Sequence, residues 1–125
     1  MKSSAWRQIN WLSVIIHAVY VWIFGMGLAF FARLFGLDQA RDFLPALTVA
    51  VALAVVVASY RIASRVGQQP LLHGLLVGLL VGAIGLVLNA LTIGLTVMEV
   101  AGFMMQALGG LLGGRMAQRT LQGTQ

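Results

Sequence analysis

Four apolar runs, each about as long as a helix needs to cross a bilayer, dominate this chain of 125 residues. A hydrocarbon core about 30 Å thick takes about 20 mostly apolar residues in an α-helix. The runs cover residues 11–32, 43–60, 71–91 and 95–113, with only short connections between them. They predict an all-α integral membrane protein, a four-transmembrane-helix bundle with short loops that forms a single domain over residues 1–125. Composition agrees, since 60% of the residues are hydrophobic and 9% are charged, whereas a soluble domain carries about a quarter charged residues. A water-soluble globule of this size exposes too much surface to hide so many apolar side chains.

The connections set the orientation. Residues 33–44 mix charge with Leu34, Phe35, Leu37 and Phe43, as an interfacial turn or short helix would, and Pro45 stands where the second helix starts, a position that tolerates a missing N–H. Residues 61–70 end in Gln68-Gln69-Pro70 and read as a solvent-facing loop, while residues 89–96 carry no charge and fit a tight hairpin. The tail after Arg115 is polar and expected to fray. Lys2, Arg7, Arg61, Arg65, Arg115 and Arg119 fall on one side with no acid, whereas Arg33 and Arg41 share the other side with Asp38, Asp42 and Glu99. Because cytoplasmic loops carry the excess of Lys and Arg, both termini are assigned to the cytoplasm of a cell-membrane protein. Lys2 and Arg7 precede an apolar run too long for a secretory leader, so that run reads as a retained first helix. Trp6, Trp11 and Tyr60 suit the aromatic belt at the headgroups.

Helices associate in lipid through close backbone approach and hydrogen bonds, which small and polar residues in one stripe favour. Such stripes are Ser13, His17, Tyr20, Phe24, Gly27 and Phe31 on the first helix, and Ala46, Ala50, Ala54 and Ala58 on the second. The third helix carries Gly74, Gly78, Gly82 and Gly85, two consecutive GxxxG units followed by a further glycine. Its partner is either another helix of the same chain or a second copy. The fourth aligns Thr96, Glu99, Gly102, Gln106, Gly109 and Gly113.

Few groups suit chemistry. Cysteine is absent, which excludes disulfides, thiolate metal sites and a cysteine nucleophile. The net charge of +5 sits at helix ends and not in a basic patch interleaved with aromatics, so nucleic acid is not an expected partner. Ionisable groups within a span are functional candidates, because burying them is costly. They are His17 and His73 towards the basic side and Glu99 near the other, with Gln106 at mid-membrane needing a hydrogen-bond partner. Two histidines without a carboxylate make a poor metal site, and Met98, Met104, Met105 and Met116 read as adaptable packing. Neither a metal nor a cofactor is expected. Gly109-Gly110-Leu111-Leu112-Gly113-Gly114-Arg115 lacks the Lys-Ser/Thr ending and preceding strand of a phosphate loop.

Two functions fit this pattern. One is a non-enzymatic structural, accessory or self-assembling subunit, whose partners are the bilayer and either its own copies or another membrane protein, engaged through the Gly and Ala faces. The alternative is a small oligomeric transporter or channel whose path is the polar stripe of the fourth helix, with His17 as a proton site. No set of residues for an intramembrane enzyme occurs. The charge bias predicts one orientation: a cysteine introduced at Gln68 is shielded from an impermeant thiol reagent in intact cells, and one at Gln39 reacts. Reaction at Gln68 in intact cells, or equal reaction at the two positions, overturns the assignment.

Overall fold

The computed structural model describes residues 9–92 and 94–123. Lys2, Trp6 and Arg7, part of the charge and aromatic pattern above, lie outside the described residues. Four helices follow one another: α1 (Trp11–Leu34), α2 (Phe43–Val66), α3 (Pro70–Thr92) and α4 (Val97–Gly123), with a 3-10 turn at Leu37–Gln39 between the first two. All four are long and apolar enough to cross a membrane.

Two helices run well past the ends that hydropathy assigns them. α2 continues to Val66 because Ile62 and Ala63 are buried in the bundle, while Arg61 and Arg65 point outward, where long stems let their charges reach the headgroups. Gly67 ends the helix in the left-handed region at φ +70°, donating its N–H to the Ala63 carbonyl. The solvent-facing loop expected over residues 61–70 thus shrinks to residues 67–69. α4 likewise continues to Gly123, since Gly114 and Ala117 remain buried and Tyr60 Oη meets Thr120 Oγ1 at 3.4 Å. The tail expected to fray is helix.

The bundle is rhomboid. α3 and α4 form the most extensive contact, α4 also packs on α2, and α2 and α3 touch, whereas α1 packs on α2 and α3 only. α4 makes this possible by carrying glycine on two adjacent faces. A Cβ at Gly110 would collide with the Gly74 carbonyl and lie 3.0 Å from the Gly78 Cα, and one at Gly114 would lie 2.7 Å from the Pro70 carbonyl oxygen. On its other face, a Cβ at Gly113 would collide with the Val56 carbonyl, and one at Gly109 would lie 3.1 Å from the Ala52 carbonyl oxygen. From α3, Cβ atoms at Gly74 and Gly78 would strike the carbonyls of Gly110 and Gln106. The GxxxG segment of α3 therefore meets α4 of its own chain.

The stripe expected to pack on α1 faces outward. Its buried line is Val14, Ala18, Val21 and Gly25, one residue round from Ser13, His17, Tyr20 and Phe24, and Tyr20 is 63% exposed. Lipid makes polarity a weak guide to burial, and small or β-branched residues seat the helix while aromatic ones meet the hydrocarbon. On α2, Ala58 is buried, Ala50 and Ala54 are half-buried and Ala46 is exposed. Gly78→Ala should lower stability by about 1–3 kcal/mol through overpacking. Gly27, with nothing within 4 Å of an added Cβ, should tolerate alanine with no loss, since alanine is the better helix former. Unfolding in mixed micelles checks the pair, and equal behaviour removes the backbone seam as the reason.

Candidate functional site: a polar-ended cavity between the four helices

Backbone contact between α3 and α4 gives way to side chains along their length. Opposite Gly82 stands the Phe103 ring, while a Cβ added at Gly85 would lie 3.5 Å from the Trp22 indole and one at Gly102 would lie 3.6 Å from the Thr48 methyl. Ser59 Oγ donates to the Gly74 carbonyl at 3.1 Å and holds α2 on α3 at the arginine-rich end. Towards the other end the helices enclose a cavity of about 530 Å³. Its walls are Val21, Trp22 and Gly25 of α1, Thr48 and Val51 of α2, Gly82 and Gly85 of α3, and Gly102 and Phe103 of α4. Trp22 is fixed at its wall by donating Nε1–H to the Val81 carbonyl at 3.3 Å.

The polar groups of the cavity sit on two levels. Asn89, Thr96 and Glu99 lie where α3 turns into α4, and Gln106 lies two turns deeper. Glu99 reaches back to the start of its own helix, where its carboxylate accepts the Thr96 N–H at 2.7 Å and the Thr96 hydroxyl, while Thr96 Oγ1 accepts the Met98 N–H at 3.3 Å. This is a capping box, Thr-Val-Met-Glu, in which residue N3 satisfies the donor of the cap. The spacing of Thr96 and Glu99 that makes the box is visible in the sequence.

Gln106 differs. It is 6% exposed, and its Oε1 is buried without a hydrogen-bond partner, a condition that among the described residues it shares with Ser64 Oγ. Rotation of the amide exchanges oxygen for nitrogen without changing shape, so one amide group can always be offered to an occupant of the cavity. Among the described residues no Lys, Arg or His lines the space, and Glu99 is its one ionisable group.

The histidines belong elsewhere. His73 is fully buried and saturated: its Nδ1–H donates to the Gln69 carbonyl at 3.0 Å, and its Nε2 accepts the Asn10 N–H at 3.1 Å. It ties the start of α1 to the start of α3 as a neutral ring. His17 donates Nδ1–H to the Ser13 carbonyl at 2.7 Å and stacks edge-on with Tyr20, on the outer side of the α1–α2 pair. The expected pathway is thus split. Thr96, Glu99 and Gln106 come together, and His17 is not with them. Among the described residues no group of three metal-binding side chains forms. Gly110 and Gly114, which seat α4 on α3, were absent from the stripe read on that helix, although the doubled Gly109-Gly110 and Gly113-Gly114 carried the signal.

No protein-family model, no curated protein and no solved structure matches the chain. The site therefore rests on its own chemistry. His73→Leu should cost about 1–3 kcal/mol of stability, because it strands the Asn10 N–H and the Gln69 carbonyl. Gln106→Leu removes an acceptor that has no partner and should leave stability unchanged or raise it. Comparing the two unfolding midpoints in detergent checks this, and a larger loss at Gln106 contradicts the unpartnered amide.

Proposed function

We propose that the protein is a small transporter of the cell membrane, oriented with both termini in the cytoplasm, whose cavity takes an amphipathic solute from the side opposite the arginines. One observation carries this reading: the unpartnered Gln106 oxygen in a largely apolar cavity that all four helices line. A buried amide without a partner weakens a fold, and a ligand supplying the missing hydrogen bond offsets that cost. Sites for small molecules share this form, with apolar walls and a few convergent polar groups.

The chemistry of the walls narrows the solute. One carboxylate, no basic group and the Trp22 and Phe103 rings favour a cation with an apolar body, since aromatic faces attract positive charge. The reading of the chain as a self-assembling or accessory subunit through its glycine faces has less support, because α3 and α4 fill those faces with each other and with α2. The path proposed here is the polar stripe of α4 without His17.

Protein reconstituted with Trp22 as its one tryptophan reports binding directly. Ethidium, a cation with amino N–H donors on an aromatic body, should quench Trp22 fluorescence saturably, and Glu99→Gln and Gln106→Leu should each weaken this by about tenfold, or about 1.4 kcal/mol. Vesicles should also take up the cation faster than empty ones. Saturable quenching that neither substitution changes, or uptake equal to that of empty vesicles, overturns the proposal.

A further inference from the structure

A second cavity faces the lipid. Between α1 and α2 an open groove of about 750 Å³ runs down the surface of the bundle, away from the four-helix cavity. Its walls are Ile16, Tyr20 and Phe24 on one side and Leu53 and Val57 on the other. The small side chains of Ala50, Ala54 and Ala58 leave the space. At one end stand Arg61 and Arg65, one turn apart and continuing the line of Leu53 and Val57, with Ser13 and His17 facing them from α1.

We infer that this groove is a binding site for one anionic phospholipid, its phosphate held by Arg61 and Arg65 and an acyl chain laid along the alanine ladder. Three observations support this occupant. First, the two guanidiniums are exposed and no acid is near: all three acidic residues of the chain, Asp38, Asp42 and Glu99, stand at the opposite end of the bundle. Among the described residues no countercharge stands beside them, and paired arginines match phosphate oxygens in geometry as well as charge. Second, the length fits. From Arg61 to Ala50 the helix rises about 16 Å at 1.5 Å per residue, the depth of one leaflet of a core about 30 Å thick. Third, the gradient from charged mouth to apolar floor is that of a lipid lying in its own leaflet. His17 adds a polar contact at the mouth, since its Nδ1–H is committed to Ser13 and Nε2 is its remaining polar atom. A second copy of the chain is a poor occupant, because a symmetric contact on this face sets arginines against arginines. The site is separate from the transport cavity and does not depend on it.

Native mass spectrometry of the detergent-purified chain tests the inference, with phosphatidylglycerol and phosphatidylcholine of identical acyl chains and with glycerol 3-phosphate as a headgroup without chains. One phosphatidylglycerol should be retained at least tenfold more strongly than phosphatidylcholine, and glycerol 3-phosphate should not compete. R61Q/R65Q should lower retention about tenfold, R61K/R65K should keep most of it, and R115Q/R119Q, which removes the same charge at the same end of the bundle, should leave it unchanged. Equal retention of the two lipids overturns the site. So does equal loss in both glutamine variants, which would show general surface attraction, competition by the bare headgroup, or a lipid-free dimer that the R61Q/R65Q variant strengthens.

Discussion

The structure depends on the backbone-to-backbone seam between α3 and α4. Gly74 and Gly78 on one helix and Gly110 and Gly114 on the other bring carbonyl oxygens against α-carbons, with no room for a methyl group. In lipid, where burying apolar surface gives helices little drive to associate, such close packing is the main attraction between them, and weak Cα–H···O contacts add to it. Because Gly109 and Gly113 repeat the arrangement towards α2, one helix draws two others to itself. α1 then closes the groove between α2 and α3 through Val14, Ala18 and Val21.

That seam also creates the cavity. Glycines fix the helices at contact distance at the arginine-rich end, while Phe103, Trp22 and Thr48 hold them apart at the other. The space opens where the glycines of α3 and α4 face side chains of their neighbours instead of backbone. Polar side chains divide accordingly. His73 is saturated by Asn10 and Gln69 and reads as a structural group, whereas Glu99 is held by its capping partners through one carboxylate oxygen. Gln106, at the boundary between the tight and open halves, is left with an unpaired oxygen.

The two cavities have opposite electrostatic character. Among the described residues the inner one is lined by one carboxylate and no base, and the outer groove ends in two arginines and contains no acid. The same separation of charge that orients a membrane protein therefore gives each space a different preference. A cation suits the first, and an anionic headgroup suits the second.

Four helices long and apolar enough to cross a membrane were legible in the sequence because hydrocarbon demands long apolar runs and a helix satisfies its own backbone within each run. The glycine repeat of α3 and the polar line of α4 were also legible, since spacing of three and four places residues on one face whatever the surroundings. Helix ends were not. Arg61, Arg65, Arg115 and Arg119 lower hydropathy without breaking a helix, and only the burial of Ile62, Ala63, Gly114 and Ala117 carries α2 and α4 past them. Which face of α1 packs was decided by tertiary structure, because in lipid an aromatic and a valine are both at home outside and shape selects between them. Tertiary structure alone also set His17 apart from Gln106 and left the Gln106 oxygen without a partner. Those facts depend on how four helices cross in space, which the order of residues along any one helix does not contain.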